Sequence, residues 1–211
     1  MTSTHVDHPF FARTWTVLSR HEPGSLRKLR DENLAGLSGR VLEVGAGTGT
    51  NFVHYPTAVE EVVADEPEPR LSAIAHRTAE TPPVPVTVMD CAVEDLEPGA
   101  PFDAVVCSLV LCSVHDQDDV LRELFSILRP GGELRYLEHV ASRGARGRLQ
   151  RVADATIWPK LGGNCHTHRH TERAMVDAGF VQQTARHVWT LPAWVPLPVS
   201  ELALGRAVRP A

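Results

Sequence analysis

The apolar residues of this chain keep two rhythms, helical and strand-like, and the two alternate. SLRKLRDENLAGL sets Leu26, Leu29, Leu34 and Leu37 at mixed three-to-five spacing, which predicts an amphipathic helix over 25–37. A strand over 40–44 runs straight into glycines at 45, 47 and 49. A short helical piece follows, then a second strand over 61–64 that ends in Asp65, Glu66 and the breaker Pro67. PRLSAIAHRTAE puts Leu71, Ile74 and Ala75 on one helical face, and Pro82, Pro83 and Pro85 lead into a third strand over 86–89. FDAVVCSLVL is a near-continuous apolar run of strand length, as a central strand covered on both faces would be.

Asp116 reads as the cap of a helix whose positions Val120, Leu121, Leu124, Phe125, Ile127 and Leu128 recur at helical period until Pro130-Gly131-Gly132 stops it. A fifth strand is expected over 133–140. After a variable segment comes a helix capped by Thr171 and ended by Gly179. Two more strand-like pieces, over 180–190 and 201–208, are separated by Pro192, Pro196 and Pro198. Strands alternating with helices, then a final pair joined without one, predict an α/β fold. Its sheet is mostly parallel with an antiparallel edge partner, and helices cover both faces.

Composition narrows the class. The chain has 211 residues, enough for one domain with a real core; 43% are hydrophobic and 22% charged, with a formal net charge of −5. That balance excludes a general nucleic-acid binder, and Arg143, Arg146, Arg148 and Arg151 read as a solvated face rather than a phosphate track. Cys91, Cys107, Cys112 and Cys165 form no C-x-x-C pair, and three lie in or beside strand-like runs, as reduced packing thiols of a cytoplasmic protein do. MTSTHVDHPFFARTW lacks the pattern of a secretion signal, and no run nears the roughly 18 apolar residues of a spanning helix. Neither export nor stable membrane insertion is expected.

The chemistry begins at VLEVGAGTGTNF, over 41–52. A buried strand that turns through alternating glycines is the usual entrance to a nucleotide or nucleoside site. The spacing is G-x-G-x-G, with Thr50 where the dinucleotide fingerprint needs its third glycine, so a pyrophosphate ligand is disfavoured.

Four motifs in order, E-V-G-A-G-T-G at 43–49, the acidic strand end at Glu66, F-D-A-V-V at 102–106 and L-R-P-G-G at 128–132, resemble the class I S-adenosylmethionine-dependent methyltransferases. VCSLVLCSV, LRYLEHV and the stretch from Cys165 to Arg169 are similar to the branch whose animal members include thiol S-methyltransferases. The resemblance implies a Rossmann-like, seven-stranded sheet with an antiparallel last strand. It implies a methyltransferase domain over 39–211 behind a helical lid or extension over 1–38, with S-adenosylmethionine as cofactor. By the same resemblance Gly45, Ala46, Gly47, Gly49 and Asn51 border the ligand's methionine part and sugar, and Glu66 with Pro67 meets the ribose. Ala92 and Val93 edge the adenine, and Cys107 and Ser108 face the sulfonium. Glu66 is chosen over Asp65 because E-P-E-P matches the family's acid-Pro-x-Pro pattern, which leaves Asp65 pointing away. The Ala-Val pair departs from the family's common Asp, so adenine N6 falls to Glu94 or a main-chain carbonyl.

On the acceptor side, His139 at the end of the fifth strand and His166 are the candidate bases; either Glu138 or His139 merely ties the following loop, or His139 serves as base or orients the acceptor. HPFFARTW reads as an ordinary helix or, as the resemblance implies, as a lid in which Phe11 and Arg13, with Phe10 and Trp15, exclude water, and Cys165 and Arg169 match the related branch as substrate-side residues. GGNCHTHRHT crowds Cys165, His166, His168 and His170 together, yet its spacing is that of no zinc module and no second cluster completes it, so no metal is assigned. LPAWVPLP reads as a Pro-stiffened wall beside the acceptor. The reading is in-line methyl transfer to a small-molecule thiol, hydroxyl or amine, with no nucleic-acid partner and no oligomeric state assigned. A phospholipid or quinone-precursor acceptor, and a non-catalytic nucleoside-binding domain, are the alternatives.

Overall fold

In the computed structural model, which describes residues 6–96, 99–192, 195 and 197–211, the apolar runs become the strands of one seven-stranded sheet. They are β1 (Gly39–Val44), β2 (Val59–Asp65), β3 (Val86–Met89), β4 (Phe102–Ser108), β5 (Leu128–His139), β6 (Val181–Trp189) and β7 (Glu201–Val208), in spatial order β3-β2-β1-β4-β5-β7-β6. β1 to β5 pair in parallel, and β7 runs antiparallel to both β5 and β6. The antiparallel strand expected at the edge therefore lies inside the sheet, with β6 outside it. Burial explains the order. Leu202, Ala203, Leu204 and Ala207 of β7 are buried, whereas β6 is exposed along most of its length and suits an edge.

The helices are α1 (Pro9–Arg20), α2 (Gly24–Leu34), α3 (Pro69–Thr78), α4 (Gln117–Ile127), α5 (Gly144–Asp154), α6 (Trp158–Leu161) and α7 (Thr171–Asp177). Asp116 caps α4 as expected, its carboxylate accepting from the N–H groups of Asp118 and Asp119, and Glu68 caps α3 in the same way. Thr171 does not cap α7. It is the first helical residue, after His170, and its hydroxyl accepts instead from Gln117 Nε2 at 3.0 Å. LRPGG is no simple stop either: β5 begins at Leu128, and the Gly131 N–H donates to the Arg209 carbonyl just beyond β7.

Alternation along the strands gives the sheet two apolar faces. Leu42, Val44, Val105, Cys107, Leu134 and Tyr136 pack under α4 and Met175 of α7. Val41, Val62, Ala64, Ala104 and Val106 pack with Leu34, Leu37, Phe52, Tyr55 and Ala75 on the other face. β1 lies between β2 and β4, so the chain reverses its direction of travel across the sheet there. The carboxyl ends of β1 and β4 meet at the point where open α/β sheets take their ligands. Among the described residues no helix is long and apolar enough to cross a membrane. Of the expected lid over 1–38 and wall over 191–198, residues 1–5, 193, 194 and 196 lie outside the described part.

Candidate active site

The glycine loop leaves β1 through three left-handed turns, with φ of 61° at Gly45, 62° at Gly47 and 76° at Gly49. Side chains are disfavoured there on conformational grounds alone. Space forbids one as well: a Cβ on Gly47 would come 2.9 Å from Nε1 of Trp15 in α1.

The acidic end of β2 holds this loop. The Asp65 carbonyl accepts from the Ala46 N–H at 2.8 Å and Asp65 Oδ2 from the Gly45 N–H at 3.2 Å. Glu66 Oε2 accepts from the Gly47 N–H at 2.7 Å and its Oε1 from the Glu68 N–H at 2.9 Å. Asp65 thus does not point away; both acids turn toward the glycines. Asp65 Oδ1 is buried with no hydrogen-bond partner among the described residues. Burial pushes the Glu66 carboxyl up to about 7, against the Glu68 and Gly47 N–H groups, and drives Asp65 well above the usual carboxylate range, with Glu66, Glu94 and Glu43 adding to it.

Beneath the loop lies a buried polar chain that the sequence did not announce. Arg30 of α2 pairs with Glu22 at 2.9 Å and donates to Asn51 Oδ1 at 2.8 Å. Asn51 Nδ2 donates to Glu43 Oε1 at 3.0 Å and to Ser108 Oγ at 3.2 Å, and the Tyr55 hydroxyl donates to Glu43 Oε2 at 2.8 Å. Asn51, expected along the ligand, spends its amide on bracing the loop from below. Burial lifts Glu43 to about 7, with Tyr55, Arg30 and Asn51 opposing. No local pattern marks these residues, since the partners come from three separate stretches of chain.

Ala92 and Val93 are buried beside the end of β3, where Val93 begins a single 3-10 turn; Glu94 is exposed. Pro67 follows Glu66 and leads into α3. Cys107 is fully buried in the layer under α4, so what it presents at the rim is backbone; Ser108 keeps its hydroxyl on Asn51. α1 crosses the rim. Phe11 and Trp15 stack with centroids 5.9 Å apart, Trp15 over Gly47 and Phe11 against Gly163, where a Cβ would come 2.6 Å from the ring. Ala12 is the buried anchor of α1, whereas Phe10 and Arg13 are exposed.

At the carboxyl ends of β4 and β5, Glu138 is buried and its Oε1 accepts from the N–H groups of Val110 and Leu111 at 2.9 and 3.0 Å. It ties the loop, and its Oε2 has no partner among the described residues. Leu109 ahead of that loop holds φ at 62°, fixed by its N–H on the Leu137 carbonyl at 2.8 Å. His139 follows Glu138, partly exposed, with Nδ1 facing the thiols of Cys112 and Cys165. Burial works against its charge while Cys112 and Glu138 favour it, and the balance raises its pKa. His166 is separate in role: its N–H donates to the Cys112 carbonyl at 2.7 Å, and burial and Arg169 hold its ring pKa down. Arg169 donates to the carbonyls of Leu111 and Val114 at 2.7 and 2.8 Å, bracing the same loop. The structure brings His139, Cys165 and Cys112 together and sets Arg169 behind them.

Residues 18–184 match the model of a methyltransferase domain family. The chain is 33% identical to human thiol S-methyltransferase TMT1A over 197 residues, 88% of this chain and 80% of that protein. It is 37% identical to mouse thiol S-methyltransferase TMT1B over 211 residues, 95% and 85% of the two. The crystal structure of the N-methyltransferase NodS from Bradyrhizobium japonicum in complex with S-adenosyl-L-homocysteine shares the fold, with a TM-score of 0.64 at 16% identity over 97% of this chain and 89% of that one.

Proposed function

Because the chain belongs to the methyltransferase-domain family, in the branch of the thiol S-methyltransferases, we propose that it transfers a methyl group from S-adenosylmethionine to the thiol of a small molecule. The observation that carries the cofactor is the pair of buried carboxyl groups at the glycine loop. Asp65 and Glu66 are buried against it with no ion-pair partner among the described residues, and Glu43 lies beneath, joined through Asn51 to an Arg30 that already pairs with Glu22. Burial favours the protonated form of these acids in the ligand-free site, so a ligand that brings positive charge and hydroxyl donors would stabilise them as carboxylates, whereas a pyrophosphate would oppose their ionisation.

Glu66 would accept from the ribose hydroxyls on the lone pairs left free by Gly47 and Glu68, and Gly45 to Gly49 would line the amino-acid tail. Ala92 and Val93 would edge the base. The cofactor supplies a methyl group on a positively charged sulfur, already activated for displacement. The protein's part is alignment in a dry cleft, an effect worth up to roughly 7–11 kcal/mol in favourable intramolecular cases. α1 would close that cleft, with Trp15 over the loop and Phe11 over the Gly163 turn. His139, at the end of β5, would receive the acceptor and take its proton, with His166 as the second candidate base.

Calorimetric titration with S-adenosylmethionine and S-adenosylhomocysteine, followed by S-adenosylhomocysteine release against a panel of thiols, phenols and amines, tests the proposal. Saturable binding with turnover confined to thiols is expected. Absence of heat for both ligands removes the cofactor, and turnover confined to phenols or amines removes the thiol.

A further inference from the structure

Three soft donor atoms from three separate segments meet at the acceptor end of the sheet. Cys112 lies in the loop after β4, His139 closes β5, and Cys165 follows α6. Cys112 Sγ is 3.5 Å from Cys165 Sγ and 3.5 Å from His139 Nδ1, and Cys165 Sγ is 3.8 Å from the same nitrogen. A tetrahedral ion with metal–sulfur bonds of about 2.3 Å and metal–nitrogen bonds of about 2.0–2.1 Å sets its sulfurs about 3.8 Å apart and sulfur from nitrogen about 3.6 Å. All three sides of the triangle agree with that geometry to within about 0.3 Å.

The triangle is also built in advance. The His166 N–H holds the Cys112 carbonyl at 2.7 Å, Asn164 Nδ2 holds the Ser113 carbonyl at 2.7 Å, and the Cys165 N–H donates to Gly162 at 3.2 Å. Arg169 clamps the carbonyls on either side of Cys112. Both sulfurs are buried, and the partly exposed imidazole gives the cluster its access to solvent. Two thiolates and one imidazole with a fourth position open is a ligand set used by catalytic zinc.

We propose that Cys112, His139 and Cys165 bind one zinc-type divalent ion whose fourth position takes the acceptor's thiolate; the second half rests on the thiol reading above. The acceptor R–SH binds as thiolate and its proton passes to solvent. In the transfer a carbon–sulfur bond forms to that thiolate as the bond between methyl and sulfonium sulfur breaks. The products are a neutral thioether, a weak ligand that leaves the ion, and S-adenosylhomocysteine. His139 then acts as a ligand and not as a base.

The test is cobalt titration of the chelator-stripped, reduced 211-residue chain, read by thiolate-to-cobalt charge transfer and the intense visible bands of a tetrahedral site. One equivalent per chain is expected, with the charge-transfer band lost in Cys112→Ser and Cys165→Ser and zinc displacing the cobalt. Because buried serines can unfold the loop, alkylation of Cys112 and Cys165 in the wild-type chain is followed by mass spectrometry with and without one equivalent of zinc. At least tenfold protection supports the site. No cobalt band, bands unchanged in both variants, or equal alkylation overturns it. A small alkyl thiol is then added to the cobalt form, and S-adenosylhomocysteine release from that thiol is compared in stripped and zinc-loaded protein. Shifted bands with zinc-dependent turnover support both halves. Turnover indifferent to stripping keeps thiol methylation, with His139 as base, and overturns the ion's role. Cobalt binding with no turnover in either form keeps the ion and removes its thiol.

Discussion

Glu66 has both carboxylate oxygens on backbone N–H groups and is only 6% exposed, so a neutral amide there gives up one of the two acceptors and the charge. Glu66→Gln is expected to weaken S-adenosylmethionine binding by about 1.5–3 kcal/mol, the scale of a hydrogen bond to a charged group, read by calorimetry. Gly47→Ala places a side chain at φ 62° and against Trp15. It should cost about 1–2 kcal/mol of stability from the backbone alone, visible as a lower denaturation midpoint. The sequence marked these residues because the loop's chemistry is local: a strand, a glycine spacing and an acid at the end of the next strand. It could not mark Arg30 under Asn51, or Cys112 beside Cys165, since each pair joins segments that only the folded sheet brings together. The histidine-rich stretch drew attention for its density, yet only Cys165 of it reaches the cluster; His168 and His170 meet edge to face instead, with centroids 5.4 Å apart.

At the scale of elements, α1 makes its two aromatic contacts with turns that belong to different halves of the site, Gly47 on the loop side and Gly163 on the acceptor side. Trp15→Ala should therefore speed cofactor release several-fold in stopped flow while changing the melting temperature little, because the indole is only half-buried. An unchanged release rate would make α1 packing and nothing more. Strands β1 to β4 and helix α4 were legible because their apolar periods are strong and self-contained. α5 and α6 were not: their segment carries arginines and exposes Leu149, Val152, Ile157 and Leu161, so no apolar stripe signals a helix. The place of β7 between β5 and β6 was hidden for another reason, since the order of strands depends on pairing and not on period.

For the whole molecule the buried acids set a pH dependence. Glu43 and Glu66 titrate at about 7 in the folded chain, so between about 4.5 and about 7 the native state keeps protons that the unfolded chain has lost. Stability must fall as pH rises through that window. His187, lifted first by Glu172, adds in the same direction, because its ion pairs are lost as it deprotonates. Melting temperatures of the ligand-free chain are expected to drop from pH 5 to pH 8, and S-adenosylmethionine should restore more of the loss at pH 8 than at pH 6. The sheet order carries one more consequence, for synthesis on the ribosome. β6 emerges before β7 but among the described residues pairs with β7 alone, so it waits unpaired until about twenty further residues have been made, and a nonsense codon anywhere in that interval leaves both it and the open flank of β5 as sticky edges for aggregation.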